Sequence, residues 1–153
     1  MVNLTRLPLV DAAQLELTGW QAELDQRQTY DDRRVAAGPE WTNKSRRVAM
    51  DPVKQALRSM CSGIERCMFC LDSAAAEIEH FRPKALFPNA LFLWSNMFFI
   101  CGACNRRKLD KFPCLASDGT MHTATFDLIC RGELSEYAPA ILLNPTDDVT
   151  CPR

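Results

Sequence analysis

Four of the eight cysteines in this 153-residue chain form two C-x₂-C pairs. Cys67 and Cys70 make the first pair, "CMFC", and Cys101 and Cys104 make the second, "CGAC". Zinc takes four thiolates in a tetrahedron, and a short turn between two cysteines lets both sulfurs reach one metal. We therefore expect a structural Zn²⁺ site here. The alternatives are redox dithiols, although the βαβ pattern expected beside a redox C-x₂-C is missing, and unligated core cysteines.

A second chemical pattern lies between the two cysteine pairs. His80, one of only two histidines, follows Glu79 at the end of a short predicted strand near residues 77–81. Successive residues of a strand face opposite ways, so these two side chains serve one site only if the strand ends or bends there. Pro83 favours such an end, because the residue before a proline is held extended. The alternative is an ordinary surface pair of an acid and a histidine.

Asn105 follows the last of the four cysteines, in the predicted first turn of a helix that faces the end of the strand. Carboxylate and amide oxygens are hard ligands suited to Mg²⁺ or Mn²⁺, so Glu79 and Asn105 are candidate ligands of a catalytic ion. His80 would take the proton of an attacking water, since an unperturbed histidine pKa of about 6.5 suits a general base at neutral pH. The zinc frame would also bring Asn96 and Lys108 into this neighbourhood.

These motifs, in this order and at this spacing, resemble the HNH endonuclease family, whose ββα-metal motif lies between two zinc knuckles in many members. The resemblance covers residues 67–111, through "CMFC", "IEHFRP", the asparagine of "WSNMFFI" and "CGACNRRK". It implies that His80 is the general base, that Glu79 and Asn105 ligate the catalytic metal, and that Asn96 braces the loop that orients His80. The chain departs from the family pattern at two positions. Many members have Asp in place of Glu79, and the pattern that gives the family its name has His in place of Asn105.

A longer pattern, from about residue 50 to Asp148, adds "LLNPTDD" and looks like the HNH subunit of Septu-type anti-phage systems. That subunit works with an ATPase. The resemblance implies a role in antiviral defence and an ATPase partner subunit.

The net charge of −1 hides an uneven distribution. Residues 80–111 hold six Lys or Arg against one acid, and the rest of the chain holds 12 against 18. A basic patch on an acidic body favours local contact with a polyanion, and a solvated helix face is the alternative. The cations expected to contact nucleic-acid phosphates are Arg82, Lys84, Arg106, Arg107 and Lys108.

The composition, 47% hydrophobic and 24% charged residues, is typical of a soluble globular protein. The longest apolar run, residues 85–104, is interrupted by Pro88, Asn89, Ser95 and Asn96, so it does not predict a membrane span. The N-terminus lacks the apolar core of a signal peptide. We therefore expect a cytoplasmic protein with no membrane partner, in a compartment where disulfides are rare.

The length predicts a single compact domain, and the predicted elements together with the resemblance imply an α+β protein. An N-terminal helical segment (1–63) would pack on an HNH-like ββα-metal core with zinc knuckles (64–112), followed by a C-terminal extension (113–153). Within the helical segment, amphipathic helices are expected from Asp11 to a stop at Gly38 and Pro39. Another helix, starting at Asp51, would put Val53, Leu57 and Met60 on one face. In the extension, residues 123–130 are expected to form a strand.

The function expected from these residues is a metal-dependent endonuclease that hydrolyses DNA phosphodiester bonds. The rival is a non-catalytic, zinc-organised module that binds nucleic acid or acts as an adaptor. The rival explains the cysteines and the cations equally well. It leaves the joint occurrence of Glu79, His80, Asn96 and Asn105 unexplained.

Overall fold

The computed structural model describes residues 4–61, 64–115, 118–131 and 134–135. The helices in these ranges are α1 (Asp11–Asp25), α2 (Tyr30–Lys44), α3 (Asp51–Met60), α4 (Gly102–Lys108) and α5 (Phe126–Cys130). The strands are β1 (Glu77–His80), β2 (Met97–Ile100), β3 (Pro113–Leu115) and β4 (Met121–Thr123). This mixture of helices and strands agrees with the predicted α+β class. The "LLNPTDD" element lies outside the described residues.

The first helix, α1, buries a stripe of apolar side chains. Leu17, Trp20 and Leu24 recur at spacings of three and four residues, and each is at most 4% exposed. Side chains at this spacing lie on one face of a helix, and here that face packs against the core.

The second helix, α2, begins at a side-chain cap and continues through the residues expected to stop it. The Thr29 hydroxyl accepts a hydrogen bond from the Asp32 amide at 3.1 Å. The predicted stop at Gly38 and Pro39 is wrong, because α2 runs on to Lys44. Proline removes one backbone donor, and here the last turn is held by packing, since Lys44 is 4% exposed and forms an ion pair with Glu23.

The third helix, α3, has the predicted apolar face. Val53 and Leu57 are fully buried and Met60 is 7% exposed. The face packs on β2, all four residues of which are buried. A proline in the first turn of α3 costs no hydrogen bond, because the first amides of a helix have no partner within it.

Strands β1 and β2 pair antiparallel, with Glu77 opposite Ile100 and His80 opposite Met97. Helix α4 follows β2 after a single residue and packs on β1, so the chain order here is strand, strand, helix. Residues two apart on a strand share a face. Glu77 and Glu79 therefore lie on one face of β1, and α4 contacts both of them.

The N-terminal helices hold the loop between β1 and β2 by side-chain hydrogen bonds. Gln21 of α1 donates to the Pro88 carbonyl at 3.0 Å and accepts from the Phe92 amide at 2.8 Å. Tyr30 of α2 donates to the Leu86 carbonyl at 2.9 Å. Residues 86–92 are thus attached to the helical segment at three points.

The segment after α4 differs from the sequence prediction. A strand was expected over 123–130, but residues Phe126–Cys130 form helix α5, and the strand β4 ends at Thr123. Thr125 caps the helix, its hydroxyl accepting from the Leu128 amide at 3.4 Å. A side-chain cap of this kind overrides the β propensity of the residues that follow it.

None of the helices in the described ranges has the length and apolar character needed to cross a membrane.

Candidate metal and catalytic site

The four predicted metal-ligand cysteines converge. The Sγ atoms of Cys67, Cys70, Cys101 and Cys104 all lie within 4.8 Å of one another. Those of Cys70 and Cys101 are 3.9 Å apart. A tetrahedral zinc site with Zn–S bonds of about 2.3 Å puts its sulfurs about 3.8 Å apart. The donor set and its spacing therefore fit a zinc ion.

Each cysteine pair is shaped by hydrogen bonds from backbone amides to sulfur. Cys67 Sγ accepts from the Phe69 amide and Cys101 Sγ accepts from the Cys104 amide, both at 3.4 Å. Cys101 is at once the residue that follows β2, the N-cap of α4 and a member of the cluster. A metal bound here would join β2 and α4 to the loop before β1.

The surroundings of Cys70 and Cys104 shift the pKa values of these two thiols in opposite directions. Backbone hydrogen bonds at Ser73 and Asp72 lower the pKa of Cys70, whereas burial raises the pKa of Cys104. A divalent cation binds thiolates and would favour deprotonation of the whole set. Four thiols gathered in one cluster favour metal ligation over two separate redox dithiols.

The remaining described cysteines stay outside the cluster. Cys114 is buried and its Sγ lies 3.6 Å from the His122 carbonyl oxygen. Cys61 donates to the Leu57 carbonyl at 3.4 Å, and Cys130 is exposed.

His80 is the last residue of β1, where the strand ends as the prediction required. It is 2% exposed, and its ring lies edge-on to Trp41 with 4.4 Å between ring centroids. Its Nε2 is 2.9 Å from the Leu91 carbonyl oxygen. A carbonyl only accepts, so Nε2 carries the proton and the neutral ring keeps its lone pair at Nδ1.

Burial sets the charge state of His80. Desolvation, together with the smaller effect of the positive charge of Lys84, lowers its pKa to about 3. The ring is therefore neutral at physiological pH. A neutral imidazole with Nδ1 unprotonated can accept a proton, which a general base must do.

Glu79, next to His80, is held by Lys108. The Nζ of Lys108 donates to Glu79 Oε1 at 2.7 Å and to the His80 carbonyl at 2.8 Å. The two side chains are only 8% and 11% exposed, and burial lowers the pKa of Lys108. Lys108 is one of the cations predicted to contact phosphate. Its side chain is largely buried and serves as the counterion that a buried carboxylate needs.

Asn96 holds the loop that follows β1. Its Oδ1 accepts from the Arg82 amide at 2.7 Å, and its Nδ2 donates to the carbonyls of Arg82 at 3.1 Å and Ala90 at 2.8 Å. Ala90 precedes Leu91, the residue that accepts from His80. Asn96 thus lies behind the cavity and holds the backbone on either side of it, next to the Leu91 carbonyl that accepts from His80.

A cavity of about 150 Å³ brings together three of the four predicted catalytic residues, all except Asn96. It is lined by Glu79, His80, Pro83, Lys84, Asn105, Leu109 and Asp110. Within the described residues, the cysteine cluster is the one group of three or more His, Cys, Asp or Glu ligand atoms lying so close together. A second ion in this cavity would therefore rely on the amide of Asn105 as well as on Glu79.

Sequence reasoning missed Glu77 and Asp110. Asn105 donates from Nδ2 to Glu77 Oε2, not to Glu79. The signal for Glu77 was present, because it lies two residues before Glu79 on a predicted strand and must share its face. Nothing in the sequence pattern set Asp110 apart.

The five predicted nucleic-acid cations divide into two groups. Arg106 and Arg107 are exposed on α4, and Lys84 is half-buried at the cavity. Arg82 and Lys108 pack inward. The Arg82 guanidinium lies over the rings of Phe87 and Phe112, at 5.3 and 5.1 Å from their centroids, and burial lowers its pKa.

Comparisons of the chain with protein-family models, with curated proteins and with solved structures found no match.

Proposed function

We propose that this protein is a metal-dependent endonuclease of the HNH type that hydrolyses DNA phosphodiester bonds. We propose further that it is the nuclease subunit of an anti-phage defence system and works with an ATPase partner, as its resemblance to the Septu-type subunit implies. The observation that carries the proposal is the buried His80. Its Nε2 is fixed on the Leu91 carbonyl, and it shares a cavity with Glu79 and Asn105.

The chemistry assigned to His80 follows from its tautomer. Nδ1 would accept the proton of a water that attacks the scissile phosphorus. A phosphate diester entering the cavity would bring negative charge and would pair with Lys84, which offsets the smaller, electrostatic part of the lowering of the His80 pKa; burial is the larger part. Both effects raise the pKa of His80 towards the working pH of a base.

Glu79 and Asn105 would hold the catalytic Mg²⁺ or Mn²⁺. Lys108 takes one oxygen of Glu79, and no hydrogen bond reaches the other oxygen, Oε2, from the part of the chain described here. A divalent ion, once bound, supplies positive charge that stabilises the phosphate oxygens in the transition state. The cysteine cluster would hold zinc in a structural role and keep α4 against β1.

Arg106 and Arg107 would bind the DNA backbone outside the cavity. Both are exposed and lie on the helix that carries Asn105. Contacts with phosphate give affinity without sequence preference.

One observation favours a second candidate function, a zinc-organised nucleic-acid-binding or adaptor module without catalysis. Lys108 already neutralises Glu79, so the candidate metal site has its own resident cation. In this alternative, Lys108 completes a structural ion pair and His80 is a satisfied core histidine.

The test that separates the two functions is cleavage of supercoiled plasmid DNA with Mg²⁺ or Mn²⁺, comparing the wild-type chain with His80→Ala. We expect nicked and linear products from the wild type and none from His80→Ala. Zinc content and DNA affinity should be retained, although loss of the buried ring beside Trp41 will lower stability by about 2 kcal/mol or more. His122→Ala is the matched control and should cut at the wild-type rate.

Two further arms complete the test. A parallel reaction with single-stranded RNA reports the substrate class. The plasmid reaction is repeated with the partner ATPase and ATP if the isolated chain is inactive. Equal cleavage by wild type and His80→Ala, or binding without cleavage in every arm, would leave the adaptor function as the better account.

A further inference from the structure

Two pairs of side chains link α4 to β1. Asn105 bonds to Glu77 at the start of the strand, and Lys108 bonds to Glu79 at its end. Asn105 and Lys108 are three residues apart and share a face of the helix, as the two glutamates share a face of the strand. The proposed function gives a role to Glu79 and Asn105 and leaves Glu77 without one.

The Glu77 bond fixes which way the Asn105 amide faces. Glu77 Oε2 accepts the hydrogen bond, so the Asn105 group that faces Glu77 is the donor, Nδ2. The amide oxygen Oδ1 is then directed away from Glu77. It takes no hydrogen bond from the residues that the structure describes, and Asn105 lines the cavity that Glu79 also lines.

Gly102, in the first turn of α4, gives Glu77 room to reach Asn105. A Cβ atom at this glycine would lie 3.3 Å from Glu77 Oε1 and 3.0 Å from Arg106 Nη1. Both distances are tighter than ordinary van der Waals contact. A glycine here lets the carboxylate of Glu77 lie against the beginning of the helix.

We infer that Glu77 is a positioning residue that orients the Asn105 amide so that its oxygen can ligate a divalent cation in the cavity. Without Glu77 the amide can rotate by half a turn and present its NH₂ group, which a cation repels. The inference rests on the proposed function, because it assumes that Asn105 is a ligand. Groups that orient a metal ligand typically change metal affinity by about 10–100-fold.

The test measures the dissociation constant for Mn²⁺ with the zinc-loaded full chain, from the electron paramagnetic resonance signal of free Mn²⁺. We expect Glu77→Ala to weaken Mn²⁺ binding about tenfold. Glu77→Gln should stay within about twofold to threefold of the wild type, because the glutamine carbonyl still accepts from Nδ2. Zinc content and the circular dichroism spectrum should not change in either variant.

The decisive comparison introduces Glu77→Ala into a chain that already carries Asn105→Ala. If Glu77 acts through Asn105, then adding Glu77→Ala to Asn105→Ala causes no further loss of Mn²⁺ affinity. An equal loss in both backgrounds, or an equal loss in Glu77→Gln and Glu77→Ala, would mean that Glu77 acts by its charge or as a ligand and would overturn the inference.

Failure of the inference can be told apart from failure of the proposed function. Wild-type binding of Mn²⁺ with no change in Glu77→Ala overturns the positioning role alone. A wild-type chain that binds no Mn²⁺ and cuts no DNA overturns both.

Discussion

Lys108 Nζ lies 2.7 Å from Glu79 Oε1 and 2.8 Å from the carbonyl oxygen of His80, so one ammonium group ties α4 to both residues at the end of β1. The same group neutralises the carboxylate proposed to bind the catalytic cation. A cation entering the cavity would meet this ammonium group.

Substitution of Lys108 by Met should destabilise the fold and should increase the stabilisation of the protein by divalent cations. Removing one partner of a buried pair leaves the other charge uncompensated, and we expect a loss of about 3 kcal/mol in the free energy of unfolding. Mn²⁺ should restore more stability to Lys108→Met than to the wild type, because it can take the place of the ammonium. Urea denaturation with and without Mn²⁺ measures both effects. Lys111→Met is the control. It removes an exposed lysine three residues further along the chain and should change neither quantity.

Loss of the zinc proposed for the cysteine cluster should unfold the region around the candidate site. Cys70→Ser is the cleanest variant, because Cys70 is exposed and its loss removes no core packing. We expect about one zinc per wild-type chain, little in the variant, and a markedly lower melting temperature, since the binding free energy of a structural zinc is folding free energy. Cys130→Ser, also at an exposed cysteine, should keep both metal and stability. Protein purified without chelator that contains no zinc would refute this assignment.

Asn96→Ala should lower both stability and cleavage, each by an intermediate amount. The change leaves the Arg82 amide and two carbonyls without their partner, at a cost of about 1–3 kcal/mol. It also loosens the backbone that carries the Leu91 carbonyl, so cleavage should slow without being abolished. Asn89→Ala is a matched control in the same loop, because the Asn89 Oδ1 is buried without a hydrogen-bond partner in the described structure. A greater loss in Asn89→Ala than in Asn96→Ala would contradict the bracing role.

Acid should destabilise the protein through His80. The folded pKa is about 3 and an unfolded histidine titrates near 6.5, so between these values the unfolded chain binds a proton that the folded chain does not. Stability from this group is full above about pH 6.5 and is lost as the pH falls towards 3, by up to about 1.4 kcal/mol per pH unit. His80→Gln keeps a donor for Leu91 and removes the titration. The free energy of unfolding of the wild type should therefore fall more steeply than that of His80→Gln between pH 6.5 and pH 4.5, and parallel curves would rule the effect out.

Replacement of Arg106 and Arg107 together by Ala should weaken DNA binding about equally for unrelated sequences. Each phosphate contact that is lost should reduce the slope of log affinity against log salt by about 1. Arg46→Ala with Arg47→Ala removes an equally adjacent pair of exposed arginines between α2 and α3, and should leave the slope unchanged. Fluorescence anisotropy at several salt concentrations measures the slopes. Equal slopes for the wild type and the Arg106/Arg107 variant would make these arginines a solvated helix face.

Local patterns were sufficient to predict the parts of this fold that depend on neighbours in sequence. The two cysteine pairs, the apolar face of α3 and the end of β1 at His80 each follow from spacing within a few residues. Packing between distant segments decided the rest. Pro39 should end a helix on local grounds, yet the burial of Lys44 carries α2 past it.

The cations of the candidate site illustrate the same limit. Sequence gives Arg82, Lys108 and Arg106 the same chemistry and similar local settings. Their positions differ because of partners far along the chain: Phe112 packs against the first and Glu79 binds the second, while the third is exposed to solvent. Burial of a charge depends on these long-range partners, which no local window contains.

Gln21 connects α1 to the loop that orients His80. Its side-chain amide donates to the Pro88 carbonyl and accepts from the Phe92 amide. The Leu91 carbonyl, which accepts from the imidazole, lies between these two points along the chain. Gln21 thereby connects α1 to the backbone that carries the Leu91 carbonyl, which accepts from His80. In the proposed function the helical segment therefore helps to position the His80 imidazole, and removing the segment would loosen the site without removing any residue that lines the cavity.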